Sequence, residues 1–257
     1  YYDNKIVIWA LPLDFELRGS HNWLRDVITH EFTHIAQLNA AMKFTRKVPA
    51  IYMQWIHPEK EHRDDVIYGY PNTLMSYPFA GTVIPPWFAE GTAQFNAKEA
   101  PYDYWDSHRD MILRDRVLHN DLLTWNGMST FGKKGTGNES VYNQGFSLVS
   151  FIARNYGSDA LYRITEEMRS PLAVSFDNAI KRAIGRDGKI IYAEWADSLH
   201  QFYKRRTENI REFTSAIEVL SDESTGNFFP RWSPNDSLIA YMSNNGNDYL
   251  SQTGLML

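Results

Sequence analysis

Trp23-Leu24-Arg25-Asp26-Val27-Ile28-Thr29-His30-Glu31-Phe32-Thr33-His34-Ile35-Ala36-Gln37-Leu38 is the stretch on which the reading of this chain turns. It lies in a longer helical signal from His21 to Lys43, with Ser20 placed to cap it. Trp23, Val27, Ile28, Ile35 and Leu38 recur near helical spacing. Inside it, His30-Glu31-Phe32-Thr33-His34 is an HExxH string. Positions i and i+4 share one helical face, so both imidazoles reach one ion while Glu31 points beside it. The chain has no Cys, which removes disulfides, thiolate nucleophiles and thiolate-bound zinc. A metal site must therefore draw on His and carboxylates.

Composition narrows the rest. The 257 residues carry 26 Lys+Arg against 31 Asp+Glu, a formal charge of −5. A phosphate-binding face needs a basic surplus, so nucleic acid is excluded as a main partner. With 43% hydrophobic and 14% aromatic residues there is ample material for a packed core, which rules out a disordered chain. No apolar run approaches the roughly 18 residues of a membrane-spanning helix, and no transmembrane segment is expected. The ends, Tyr1-Tyr2-Asp3-Asn4 and Leu255-Met256-Leu257, show no signal peptide and are expected to be cut from a longer chain.

Outward from the motif, Lys5–Leu11 is a short apolar run that predicts an N-terminal strand closed by Pro12. Phe44–Pro85 is mixed and predicts irregular structure with one short helix. Pro85-Pro86 sits where a helix over Trp87–Lys98 can begin, because a first-turn proline loses no needed N–H. Further helices are predicted over Tyr104–Leu118, Ser140–Tyr156, Asp159–Met168, Leu172–Ile184 and Lys189–Glu208. Near residue 213 helical periodicity gives way to Asn227–Met242, where Asn235-Asp236 precedes alternating Leu238, Ala240 and Met242. The expected fold is mainly α with a small N-terminal β-sheet, an α+β domain over residues 1–212, followed by a β segment over 213–257.

Zinc with an open position needs a third protein ligand. Metzincins carry Gly and His at set offsets after the motif, and here Gln37 and Ala40 occupy them, which excludes that branch. Trp87-Phe88-Ala89-Glu90-Gly91-Thr92-Ala93-Gln94-Phe95 matches every fixed position of the W-[FL]-x-E-G-x-A-x-[FY] string of gluzincin aminopeptidases. The chain thus resembles the gluzincin, thermolysin-like zinc metallopeptidases over about residues 5–210. That resemblance implies a zincin-like domain, one Zn²⁺ per chain on His30, His34 and Glu90, and Glu31 as general base. It also carries the oxyanion-stabilising role to Tyr142, in Tyr142-Asn143-Gln144-Gly145, which is similar to the family's Y-x-x-G. Gln94 and Asn39 are candidates to fix the tautomers of the ligating histidines. The family's substrate-pairing strand edge falls on Lys5–Leu11.

Two departures mark this chain. Between His34 and Glu90 lie 55 residues, far more than in the best-known members, so the insertion is expected to loop out and shape the substrate cleft. No G-x-M-E-N amine-binding string is present, so endo- and exopeptidase readings both stay open. Pro230–Asn244 (PRWSPNDSLIAYMSN) resembles the repeat of TolB-like β-propellers, with Asn235-Asp236 where Asp-Gly is usual. One such unit cannot close a propeller, so further blades are expected in the full-length protein. Those propellers are mostly extracytoplasmic, which points to a periplasmic or secreted protein with a peptide or protein substrate. The competing readings are a catalytically idle zincin-fold module that binds protein alongside a propeller, and a non-peptidase zinc hydrolase.

Overall fold

The computed structural model describes residues 6, 8, 23–43, 52–57, 73–78, 84–98, 105–131, 135–170, 172–173, 175–210, 218–220, 226–246 and 253–257. Seven α-helices lie among them: α1 Trp23–Ala41, α2 Pro86–Asn96, α3 Ser107–Leu118, α4 Gly135–Tyr156, α5 Ala160–Met168, α6 Phe176–Ile184 and α7 Gly188–Thr207. The strands are β1 Tyr52–His57, β2 Thr73–Pro78, β3 Asn227–Trp232, β4 Ile239–Ser243 and β5 Gly254–Met256. The protein is mainly helical with small sheets, an α+β arrangement. No helix among the described residues is long and apolar enough to cross a membrane.

The helices start where side chains can close their first turns. Asp106 accepts from the Arg109 N–H at α3, Ser175 from the Asn178 N–H at α6, and Asp187 from the Lys189 N–H at α7. Such caps each contribute about 1 kcal/mol by satisfying an amide that the helix leaves without a partner. At α2, Pro85 is the cap and Pro86 the first helical residue, as the proline pair predicts. The strand expected over Lys5–Leu11 lies outside the described residues, apart from Ile6 and Ile8. In Phe44–Pro85, expected to be irregular with a short helix, the described residues instead pair β1 with β2. Tyr52, Trp55 and Ile56 supply the aromatic and β-branched character that favours a pleated strand, although they do not alternate.

The chain divides into two units. One comprises Tyr1–Met53, Ser76–Phe131 and Ser140–Asn209. Its main core gathers Trp87, Phe88 and Trp125 with Leu148, Val149, Ile152, Ile164, Ile180, Ile191 and Trp195. Fully burying a large apolar side chain contributes about 1.5–3 kcal/mol. Trp87 is the hub: its ring stands 5.2 Å from Trp125 and 5.5 Å from Phe176, edge-on to the latter. That aromatic cluster holds the start of α2 against the following helices.

The other unit comprises Gln54–Met75, Gly132–Glu139 and Ile210–Leu257. In it β3, β4 and β5 form an antiparallel sheet in sequence order, with Phe228 opposite Met242 and Trp232 opposite Ile239. The β3–β4 register shifts between Phe228 and Arg231. Pro230, which has no N–H to give a ladder, falls within that irregularity. Between β3 and β4 the Asp236 N–H donates to the Ser233 carbonyl at 2.9 Å, with Asp236 at φ 54°. The alternation of Leu238, Ala240 and Met242 yields no buried face: Leu238 is exposed, and Ala240 and Met242 are half-buried.

Candidate metal centre

α1 packs against α2 and α5. The side chains it buries are Asp26, His30, His34, Gln37 and Ala41, a stripe at helical spacing that is polar except for Ala41. The apolar periodicity of the sequence points elsewhere, because Leu24, Ile28 and Phe32 are exposed and Trp23, Val27, Ile35 and Leu38 only half-buried. Across from this stripe, α2 presents Glu90 just past its first turn. His30, His34 and Glu90 are all buried, and their ligand atoms lie within 4.8 Å of one another.

The geometry is specific. One carboxylate oxygen, Glu90 Oε2, stands 2.9 Å from His30 Nε2 and 3.2 Å from His34 Nε2. The two imidazole rings meet edge-on, with centroids 4.8 Å apart. Ligands bound tetrahedrally at about 2.0–2.1 Å stand about 3.3 Å from each other, so the two separations to Glu90 are of the order a metal ion needs, and the group could hold one. Burial would by itself raise the Glu90 carboxyl. The close contacts of its carboxylate with His30 and His34 overcome burial and bring it from 4.5 down to about 2. The group is therefore held as a carboxylate, the form a metal requires.

Glu31 follows His30 on α1 and is half-buried, about 100° round the helix from its neighbour. Tyr142 on α4 is also half-buried; its ring centroid is 6.4 Å from that of His30 and 6.0 Å from that of Phe131. The structure thus brings Tyr142 beside the group formed by α1 and α2. Two glycines make this approach feasible. A Cβ on Gly91 would lie 2.5 Å from the Gly145 carbonyl carbon and oxygen, and one on Gly145 would lie 2.3 Å from the Trp87 carbonyl oxygen. Backbone touches backbone where the WFAEG helix crosses the YNQG helix, and a side chain at either position would force them apart.

The tautomer-fixing candidates have other partners. Gln94 Oε1 accepts from Arg109 Nη1 at 3.4 Å, and Asn39 Nδ2 donates to the Ile35 carbonyl of its own helix at 2.8 Å. Arg109 is a residue that sequence reasoning missed. It is buried, and its Nη1 also donates to Asn143 Oδ1 at 3.1 Å. It thereby ties α3 to the helix of Glu90 and to the helix of Tyr142. Asp26 and Gln37 were missed too, although their positions on the histidine face could have disclosed them. Gln37 is 6% exposed, and neither of its amide atoms has a hydrogen-bond partner among the described residues. Compared with known proteins, the chain matches no family model, no curated protein and no solved structure.

Proposed function

We propose that this chain is a zinc-dependent peptidase in which His30, His34 and Glu90 hold the ion, Glu31 is the general base and Tyr142 steadies the oxyanion. The observation that carries the reading is the convergence of two imidazoles on one Glu90 oxygen, at 2.9 and 3.2 Å, from an HExxH helix and a WFAEG helix. Its finer fold reading is a zincin-like domain over residues 1–212 followed by the start of a TolB-like propeller. An extracytoplasmic location and a peptide or protein substrate go with it.

Bound zinc would supply a Lewis acid and a water whose pKa falls towards ~7. Glu31 lies outside the converging donors but next to His30, which suits it to take a proton from the attacking water at a carboxylate oxygen. It then hands that proton to the leaving amine. The Tyr142 hydroxyl donates a hydrogen bond to the oxygen that gains charge, a contribution of about 3 kcal/mol for a donor of this kind. Glu90 stays ionised and buried, which keeps the ligand set anionic without sharing the proton traffic. Gly91 and Gly145 let the Tyr142 helix come close enough for that hydroxyl to matter.

Metal analysis of the purified chain with a peptide-library digest tests the proposal. One zinc per chain is expected, lost in Glu90→Ala and kept in Glu31→Gln, with turnover lost in both. Zinc retained by Glu90→Ala removes Glu90 from the site, and near wild-type cleavage by Glu31→Gln overturns the mechanism.

A further inference from the structure

Away from the metal centre, α2, α3, α4 and α7 enclose an open cavity of about 650 Å³. None of His30, His34, Glu90 or Tyr142 lines it. Clefts that hold small molecules commonly run to about 300–1,000 Å³. Its walls are aromatic: Phe95, Trp105, Phe146 and Phe202, with Trp105 and Phe146 stacked at 5.0 Å. Phe202 is 46% exposed, an apolar surface left to water.

The charged groups around this cavity are unbalanced. Among the described residues, Lys98, Arg154 and Arg206 line it against a single carboxylate, Asp110. Asp110 is already committed: Oδ1 accepts from the Tyr203 hydroxyl at 2.9 Å, and Oδ2 faces Arg206 and Arg114, each at 3.3 Å. The Arg154 Nε donates to the Ser150 backbone carbonyl at 3.2 Å, and the Lys98 ammonium sits 4.7 Å from the centre of the Phe95 ring. Neither cation faces a carboxylate among the described residues. Ser150 also lines the cavity, and its buried hydroxyl has no hydrogen-bond partner among the described residues. A local surplus of positive charge on a chain of net charge −5 marks a place built for an anion.

We infer that this cavity binds a carboxylate carried on an aromatic body, the ring lying among Trp105, Phe146 and Phe202 and the carboxylate meeting Lys98 and Arg154. Both a free aryl acid and the C-terminus of a peptide ending in an aromatic residue offer that chemistry. The inference is independent of what the metal centre does.

Calorimetric titration of the full chain with 3-phenylpropionate, N-acetylphenylalanine and the amide of each tests it, with and without equimolar zinc. One carboxylate per chain should bind with Kd below about 1 mM, since a dozen non-hydrogen atoms in a pre-formed site support that affinity. Zinc should leave the affinity unchanged, which separates this cavity from the metal centre. Each amide, and the acids on the Lys98→Gln/Arg154→Gln variant, should bind at least about tenfold more weakly because charge-assisted hydrogen bonds are lost. Tighter binding of N-acetylphenylalanine identifies a peptide C-terminus as the ligand, and tighter binding of 3-phenylpropionate a free acid. Absence of saturable binding by both acids, equal affinity for acid and amide, or binding that requires zinc overturns the inference. The acid–amide comparison decides on the wild-type protein even if the double variant misfolds.

Discussion

Replacing Gly145 by alanine puts a methyl group where two helices meet backbone to backbone. Its carbon would stand 2.3 Å from the Trp87 carbonyl oxygen, 3.0 Å from the Trp87 carbonyl carbon and 3.1 Å from the Trp87 Cα. All three are backbone atoms of α2, so no rotamer change relieves the clash. A carbon and an oxygen in ordinary contact stand about 3.3 Å apart, and the helices must therefore separate by about 1 Å. Overpacking of this kind costs about 1–3 kcal/mol. In a domain of this size that lowers Tm by about 2–12 °C. Tyr142 lies one turn before Gly145, and Glu90 three residues after Trp87, so the same movement draws Tyr142 away from the converging donors. A misplacement of about 1 Å costs on the order of 100-fold in turnover.

The proposed zinc ligands sit on α1 and α2, whose contact does not run through Gly145, so metal content should hold. The assay is a thermal melt, elemental zinc and peptide-cleavage kinetics on Gly145→Ala, with Asn155→Ala, an exposed position on the same helix, as control. Turnover and kcat/KM should fall together, because an interaction made only in the transition state is lost. Wild-type Tm and turnover in Gly145→Ala would refute the close crossing. Loss of zinc would refute its assignment to the approach of Tyr142.

Arg109→Ala leaves Gln94 and Asn143 facing no guanidinium and should cost about 2–4 kcal/mol in urea unfolding. Arg109→Lys should recover only part of it, since an ammonium lacks the planar fork; wild-type stability of the alanine variant would sink the argument. In the metal-free protein the Glu90 carboxyl, brought from 4.5 to about 2, adds stability that is complete above pH 4.5 and fades as pH falls through about 2. The Tm difference between wild type and Glu90→Gln should shrink over that window, and a constant difference would contradict it. Zinc should slow amide exchange in α1 more than in α5, α6 and α7, because ligand binding docks the helix that carries the ligands. Uniform slowing would refute that coupling.

The helices were legible because their signals are local. Pro85-Pro86 marks the start of α2 within a residue, whereas the helix expected from Leu172 begins only at Phe176, after the Ser175 cap. The grouping of His30, His34 and Glu90 was legible for a related reason: HExxH places two imidazoles on one helix face, and WFAEG singles out the carboxylate of the second helix. The pairing of β1 and β2 was not legible, because Tyr52-Met53-Gln54-Trp55-Ile56-His57 lacks a period of two and its partner lies beyond a long connection. Arg109 was hidden for a different cause. Ser107-His108-Arg109-Asp110 reads as a solvated helix start, while partners distant in sequence on α2 and α4, Gln94 and Asn143, help make burying that guanidinium tolerable.

The face that α1 buries links stability to function. An amphipathic helix normally docks through apolar side chains, each contributing about 1.5–3 kcal/mol when fully buried. α1 instead buries Asp26, His30, His34 and Gln37 with only Ala41, while Leu24, Ile28 and Phe32 stay 43–63% exposed. Taking those polar groups out of water is costly unless something meets them. The contacts of both imidazoles with Glu90 offset part of that cost, and a cation at the same point would offset more by joining α1 to α2 directly. The core built from Leu148, Ile152, Ile164, Ile180, Ile191 and Trp195 has no such dependence, since it is held by apolar burial. Loss of such an ion would therefore be a conformational event for α1 and a minor one for α4–α7.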